Sequence, residues 1–275
     1  MRTKKKMRRR AKKRPADFSV SGLIETMCCE HGGIFLFHEH FRRLVSGCRA
    51  LGLRPSSLRV VRGAVGVLVR KSPLARSRLR ALWWCDDGAM RLSITSMPLV
   101  GIPPSGYRMM VERRKKFEPS RLSAFKTTHR TFYEALYSRA RRRGFDEALF
   151  FNTQDELVEG TRTNVFLVLD GRLATPALSS GCLPGVTRAA VIRMARRLSV
   201  PVRETRLSLK DLLRCDEAFV TNAVIGIVPV RNLGGRKMPA AFLGPSRDGC
   251  VRCGPVTQRL LIAYRKAVET KAVRV

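Results

Sequence analysis

The chain has 275 residues, of which 44% are hydrophobic and 7% aromatic, so it can bury a core and is not disordered throughout. Its 54 Lys and Arg residues outweigh 21 Asp and Glu residues, which gives a formal net charge of +33 at pH 7. A field of that sign attracts nucleic acid, acidic lipid, phosphorylated cofactors and carboxylate substrates alike, and does not by itself select one of them.

The amino-terminal segment is the most basic part of the chain. Residues 1–14 include ten Lys or Arg and no acid. Because like charges repel each other, we expect residues 1–18 to form a disordered tail rather than a nucleic-acid-binding arm. No apolar run reaches the roughly 18 residues that a membrane-spanning helix needs, and no secretory signal is recognisable, so we expect a cytoplasmic protein.

The eight cysteines do not indicate a disulfide framework, because such frameworks belong to small secreted chains. Cys250 and Cys253 form a single C-x-x-C pair. A structural zinc site needs about four ligands, and no second pair with this spacing exists. We therefore expect no metal.

Residues 19–118 have the pattern of an amino-terminal α/β domain. A stripe of apolar residues predicts a helix over 40–53, and residues 60–69 form a second helical or mixed segment. Strands are predicted at 22–29, 34–37, 81–85, 90–96 and 107–112, with the last three expected in one sheet. The basic run 113–116, followed by Pro119, is the predicted linker.

Residues 119–275 are expected to form the larger, carboxy-terminal domain. Helices are predicted at 131–142, 187–198, 209–214 and 256–268, and strands at 148–151, 164–169 and 218–220. A Gly- and Pro-rich loop is predicted at 239–255. Strands that alternate with helices in two halves indicate a mixed α/β (α+β) protein.

Lys126 is the lysine whose sequence context best suits chemistry. Apolar residues precede it, and no acid lies within seven positions on either side. An amine placed against apolar groups without a carboxylate partner can have a lowered pKa, and a neutral amine can form a Schiff base. A surface lysine between two elements remains the alternative at this point.

Three further segments carry weaker signals. The sequence Leu183–Arg188 leads into a helix, so Thr187 could be a phosphate contact at the helix start or an ordinary N-cap. Thr221 and Asn222 follow an apolar strand, where α/β folds often bind ligands. Glu159, next to a glycine, taken alone is typical of a solvated loop.

The order and spacing of these segments resemble the fold-type IV, or class IV, pyridoxal-phosphate enzymes over roughly residues 20–268. The matching blocks are GLIETM (22–27), HFRRLVSGCRALGL (40–53), FKTTHRTFY (125–133), DEALFFN (146–152), VEGTRTNVFLV (158–168), LPGVTRAAV (183–191), DEAFVTNAVIGIVPV (216–230) and GPVTQRLLIAY (254–264). The resemblance implies a two-domain fold, pyridoxal 5'-phosphate as cofactor and a homodimer.

The resemblance also implies a role for each matching residue. Lys126 corresponds to the lysine that forms the Schiff base with the cofactor, and Glu159 to the acid that pairs with the pyridine nitrogen. The cofactor phosphate would be bound by Arg43, Val186, Thr187 and Thr221.

Within the family, the block from Lys126 to Tyr133 is similar to the K-T-x-x-R-x-x-Y pattern of aminodeoxychorismate lyases. The resemblance therefore implies cleavage of 4-amino-4-deoxychorismate into p-aminobenzoate and pyruvate, a step of folate biosynthesis. Arg130 and Asn222 are the candidate substrate contacts. A class IV aminotransferase acting on branched-chain or D-amino acids is the alternative, and a basic nucleic-acid-binding protein is a third, weaker hypothesis.

Overall fold

The computed structural model describes residues 22–71, 74–86, 89–99, 101, 103, 105–238 and 253–275, and for residues 115 and 116 it describes the backbone alone. The predicted basic tail, Cys250 and most of the predicted loop at 239–255 lie outside the described residues. None of the described helices is long and apolar enough to cross a membrane.

A first, antiparallel sheet of five strands has the order β14-β2-β1-β3-β4. Its strands are β1 (Gly22–Glu30), β2 (Gly33–Ile34), β3 (Arg76–Asp86), β4 (Ala89–Pro98) and β14 (Val273–Arg274). Two helices, α1 (Phe37–Ala50) and α2 (Leu58–Lys71), pack against it. Leu44 of α1, Val65 of α2 and Trp83 of β3 are buried in their shared core.

A second, mixed sheet has nine strands in the order β10-β9-β8-β11-β12-β5-β6-β7, with β13 paired to β12. They are β5 (Tyr107–Phe117), β6 (Glu147–Asn152), β7 (Leu157–Gly160), β8 (Asn164–Leu169), β9 (Arg172–Pro176), β10 (Val202–Thr205), β11 (Glu217–Asn222), β12 (Gly226–Leu233) and β13 (Arg236–Lys237). The helices of this half are α3 (Thr131–Arg142), α4 (Val186–Arg197), α5 (Leu209–Arg214) and α6 (Pro255–Lys271).

The second sheet is covered on both faces, which explains why strands such as β6 and β8 are buried along almost their whole length. Leu167 of β8 points into a cluster with Leu212 of α5, whereas its neighbours Phe166 and Val168 point into a cluster with Val191 of α4. On the second face α6 is joined to β11 by Glu217, whose carboxylate accepts the backbone N–H groups of residues 256 and 257. This carboxylate satisfies donors that the helix start leaves free.

Two expectations about residues 107–116 are wrong. The run 113–116 is not a linker but part of β5, which pairs with β6 at 109–112 and again at Phe117, with an irregular register between them. Strand β5 also belongs to the second sheet, through β6 and β12, and not to the sheet of β3 and β4. The linker was predicted because Arg113 and Arg114 are charged. In the structure both side chains are exposed to solvent, and a strand with such side chains has the same composition as a linker. The division into domains at residue 118 stays a prediction.

Among the described residues, two β-pairings join the second half of the chain to the first sheet. Strand β14 follows α6 and pairs with β2, which returns the chain to the first sheet. Leu23 of β1 forms a β-bridge with Thr127, next to Lys126. The second connection brings the candidate lysine to the boundary between the two sheets.

Candidate active site

A cavity of about 1020 Å³ lies at this boundary. Strands β1 and β3 contribute residues from the first sheet, and the loops after β7, β11 and before α4 contribute residues from the second. All eight residues that the sequence singled out line it, namely Arg43, Lys126, Arg130, Glu159, Val186, Thr187, Thr221 and Asn222. The structure therefore brings together residues that are spread over most of the chain.

Lys126 is held by its backbone. A single turn of 3-10 helix, Arg121–Ala124, precedes it, and its carbonyl accepts the N–H of Ile24 at 2.7 Å. The N–H of Thr128 donates to the carbonyl of Gly22 at 3.0 Å, so the backbone around Lys126 is hydrogen-bonded to β1 at two points. Burial, reinforced by the nearby Arg43 cation, lowers the pKa of the Lys126 amine to about 7. An amine in this state is a ready nucleophile near neutral pH.

Arg43 lies on α1 and forms a two-pronged ion pair with Glu25 of β1. Its Nε and Nη2 atoms donate to the two oxygens of Glu25 at 2.8 and 2.7 Å, and Nη1 lies 3.4 Å from the carbonyl of Pro184. The Nδ1 atom of His40 lies 2.7 Å from Oε2 of Glu25. Burial alone would raise the pKa of Glu25, but the Arg43 cation and the hydrogen bonds of His40 and Arg43 lower it to about 2. Glu25 therefore stays ionised near neutral pH, and its carboxylate holds the guanidinium of Arg43 at the cavity.

Glu159 lies on β7, lines the cavity and is buried. Its Oε2 accepts the amide of Asn164 at 3.0 Å and the backbone N–H of Leu183 at 3.0 Å. Burial raises the pKa of this carboxyl to about 8. A carboxyl in this position would favour a cationic or N–H partner, such as a protonated ring nitrogen, since the partner would compensate its charge.

The amino end of α4 faces the same cavity. Val186 and Thr187 are its first residues, and Gly185 has no side chain that caps the helix. A Cβ at Gly185 would lie 2.0 Å from Oδ1 of Asn164, so only glycine permits this approach. The free N–H groups and the dipole at such a helix start favour a phosphate.

The hydroxyl of Thr221, at the end of β11, indicates whether an anion fits in this part of the cavity. Thr221 is fully buried, and its Oγ1 has no hydrogen-bond partner among the described residues. Buried hydroxyls are normally bonded, so one without a partner at the wall of a cavity suits a ligand that accepts a hydrogen bond. Together with Arg43 and the start of α4, this arrangement fits the phosphate of pyridoxal phosphate.

The two predicted substrate contacts are partly engaged by the protein itself. Nη2 of Arg130 donates to the carbonyl of Thr161 at 2.7 Å, and its guanidinium lies 4.5 Å from the ring centre of Tyr133. The side chain of Asn222 donates to the carbonyl of Arg162 at 3.0 Å and accepts two backbone N–H groups of the following turn. Both side chains are therefore hydrogen-bonded to the backbone beside the cavity.

Sequence reasoning missed four buried residues of the site: Glu25, His40, Glu147 and Asn164. All of them lie inside the blocks that carry the family resemblance, but their burial and mutual contacts are not visible in the sequence. It also missed Arg78 and Arg80 of β3, which line the cavity from the first sheet. The alternation of side chains along a strand was the signal that could have placed these two arginines on one face.

A buried amine, a helix start that suits a phosphate and a buried acid line one cavity, which is the combination expected of a pyridoxal-phosphate enzyme of fold type IV. Residues 22–233 match the family model of the class IV amino-transferases, and the chain belongs to that family. It is therefore an enzyme that depends on pyridoxal phosphate and acts on small amino-acid-type substrates.

Three known proteins illustrate the similarity. The branched-chain-amino-acid aminotransferase of Salmonella typhimurium is 28% identical over 249 residues, which cover 84% of this chain and 77% of the relative. The crystal structure of the Escherichia coli branched-chain aminotransferase has a TM-score of 0.77 at 28% identity, covering 90% and 84% of the two chains. A Legionella pneumophila protein, provisionally assigned as a 4-amino-4-deoxychorismate lyase, has a TM-score of 0.81 at 22% identity, covering 90% and 91%, and supports the fold.

Proposed function

We propose that the protein is a 4-amino-4-deoxychorismate lyase that forms p-aminobenzoate and pyruvate. The observation that carries the proposal is the cationic wall of the cavity. Arg78 and Arg80 line it from β3, and neither has a carboxylate partner among the described residues. Arg130, just before α3, contributes a cation to the cavity from the second half of the chain, with the carboxylate of Glu134 at 3.8 Å. The substrate has two carboxylates, which cationic groups on two sides of a cavity would bind.

The residues of the chain then have separate tasks. Arg43, the start of α4 and the hydroxyls of Thr187 and Thr221 bind the cofactor phosphate, each contact to the dianion contributing ~1.5–3 kcal/mol. Glu159 binds the ring nitrogen and favours its protonated form. When bound, pyridoxal phosphate supplies an aldehyde for the amine and a ring that withdraws electrons.

Lys126 is the base that takes up the proton moved in the reaction. Its amine accepts the proton from the substrate carbon that carries nitrogen, while the bond from the ring to the enolpyruvyl oxygen breaks. The departing enolpyruvate takes up a proton and becomes pyruvate, and the carbocycle becomes aromatic. The lowered pKa of Lys126 suits both halves of this transfer near neutral pH.

A class IV aminotransferase is the second candidate, because two of the similar proteins named above are branched-chain aminotransferases. Branched-chain or D-amino acids would then be the substrates. The cavity also has apolar walls, which include Ile24, Val224 and Ile225.

In either case the resemblance leads us to propose a cytoplasmic homodimer, for which sedimentation of the holoenzyme is the test of the oligomeric state. Nucleic-acid binding is proposed only as a non-specific property of the basic tail.

The test is a product assay on the holoenzyme. With 4-amino-4-deoxychorismate we expect p-aminobenzoate and pyruvate in equal amounts, without an amino acceptor. With leucine or D-alanine and 2-oxoglutarate we expect no glutamate. Glutamate formation without p-aminobenzoate would overturn the lyase proposal in favour of the aminotransferase. The Lys126→Ala protein serves as the blank in both assays.

A further inference from the structure

A short loop, residues 160–163, lies between the two candidate substrate contacts. The N–H of Gly160 donates to the carbonyl of Thr163 at 2.7 Å and closes it. Two backbone carbonyls of the loop accept hydrogen bonds from the candidate substrate contacts. The carbonyl of Thr161 accepts the guanidinium of Arg130, and the carbonyl of residue 162 accepts the side-chain amide of Asn222. The conformation of the loop therefore determines where Arg130 and Asn222 lie.

The inner side of this loop is bonded to a single carboxylate, that of Glu147 on β6. One oxygen accepts the backbone N–H of Ala148 at 2.9 Å, the N–H of Thr161 at 3.0 Å and the hydroxyl of Thr161. The other accepts the N–H of Arg162 at 3.1 Å, with the hydroxyl of Thr163 at 3.5 Å. Burial raises the pKa of the Glu147 carboxyl, and these hydrogen bonds oppose that effect, because both oxygens act as acceptors, as they do in the ionised form.

The carboxylate is enclosed. Glu147 is 2% exposed, and among the described residues no cation lies within salt-bridge distance of it. A Cβ on Gly160 would come within 2.2 Å of the Thr163 hydroxyl and 3.3 Å of the Glu147 side chain. Burying an acid without a cation is costly unless hydrogen bonds compensate, and here they come almost entirely from the loop.

We propose that Glu147 is a positioning residue that places Arg130 and Asn222 at the substrate end of the cavity through loop 160–163. The inference rests on the proposed function in one respect, namely that Arg130 binds a carboxylate of the substrate. Glu147 itself touches neither that carboxylate nor the groups that would hold the cofactor phosphate.

The first test is Glu147→Gln in the holoenzyme. Glutamine has the same size but replaces one acceptor oxygen by a donor, which faces the N–H groups of the loop. We expect KM for the carboxylate substrate to rise about tenfold, the loss of one hydrogen bond to a charged group, with kcat and the Kd of pyridoxal phosphate changed less than about twofold. Amide hydrogen exchange should become faster at residues 160–163. The matched control is Glu112→Gln, another buried acid, whose carboxylate accepts Arg139 of α3 and the backbone N–H of Arg114; it should lower stability and leave KM unchanged.

A double-mutant cycle with Arg130→Ala decides whether Glu147 acts through Arg130. If it does, most of the Glu147→Gln effect on KM disappears in the Arg130→Ala background. Effects on KM that simply multiply, or an equal loss of cofactor affinity, would overturn the inference. The cycle is run on whichever substrate the wild-type enzyme converts. A wild-type protein that transaminates leucine would thus refute the lyase proposal, while the cycle still decides the role of Glu147.

Discussion

The backbone N–H of Ile24 donates to the carbonyl of Lys126 at 2.7 Å, which holds the candidate lysine against the central strand of the first sheet. The next residue of that strand, Glu25, holds the guanidinium of Arg43 with both carboxylate oxygens. Two adjacent residues of β1 therefore position the amine and the main cation of the proposed phosphate site.

The Glu25–Arg43 pair is predicted to be a major contributor to stability. Replacing Glu25 by Ala leaves a buried cation without its partner, so we expect the free energy of unfolding at pH 7 to fall by ~3–5 kcal/mol. Urea unfolding measures this. Glu30→Ala, at the end of the same strand and paired with Arg76 at 3.6 Å on the surface, is the control and should change little.

The same pair predicts a pH dependence. The pKa of Glu25 in the folded protein is lowered to about 2 from the ordinary 4.5, so its contribution is complete above about pH 4.5 and is lost as the pH falls towards 2. The difference in stability between wild type and Glu25→Gln should shrink over this range. A difference that stays constant down to pH 2.5 would contradict the assignment of the anion.

Lys126 is predicted to react with pyridoxal phosphate at unusually low pH. Its amine, with a pKa of about 7, is largely neutral above that pH, so the rate of cofactor uptake by the apoprotein should rise to a plateau with a midpoint near 7. Borohydride reduction and peptide mapping should place the label on Lys126. Lys126→Ala should lose the label and about 10²–10⁴-fold in kcat, while Lys210→Ala, at an exposed position, should retain both. Label on another lysine would refute the assignment.

Thr221→Val is predicted to have opposite effects on the two forms of the protein. The hydroxyl has no partner among the described residues, so its removal should leave the apoprotein as stable as before or slightly more stable. The Kd of pyridoxal phosphate should rise about tenfold or more, and that of pyridoxal, which lacks the phosphate, should not change. Thr175→Val is the matched control, because that buried hydroxyl donates to the carbonyl of Val165 at 2.8 Å; it should destabilise both forms and leave the ratio of the two affinities unchanged.

Arg80→Leu is predicted to raise KM for 4-amino-4-deoxychorismate about tenfold without changing the affinity for pyridoxal phosphate. The reason is that Arg80 lines the cavity from β3, whereas the proposed phosphate contacts lie on α1, α4 and β11. Arg91→Leu on the neighbouring strand, where Arg91 is exposed and outside the cavity wall, is the control. An unchanged KM in Arg80→Leu would exclude this arginine from substrate binding.

The sequence predicted the elements whose periodicity is strong. The helices around α1, α4 and α6 and the apolar strand β8 follow from the spacing of their buried side chains. The charged part of β5 was misread because exposed arginines in a strand have the composition of a linker. Two-residue strands such as β14 were not predictable, since pairing with a distant strand and not local preference defines them.

The site was predictable to a similar degree. The family resemblance located Lys126 and the residues that now line one cavity with it, because their order along the chain is itself a pattern. The buried acids Glu25 and Glu147 were not found, because a carboxylate that binds neighbouring backbone or a guanidinium has the same local sequence as one in solvent. Only the fold shows that β1 and loop 160–163 converge on the same space.

The pairing of β14 with β2 affects how the chain can assemble during synthesis. The residue that faces Ile34 is Val273, roughly 240 positions further along, and such distant contacts form slowly. On the ribosome, the outer edge of β2 therefore remains uncovered while every strand of the second sheet is already available. An open strand edge invites pairing with another chain, so a nascent or truncated polypeptide should depend on chaperones until residues 273–274 are available to pair with β2.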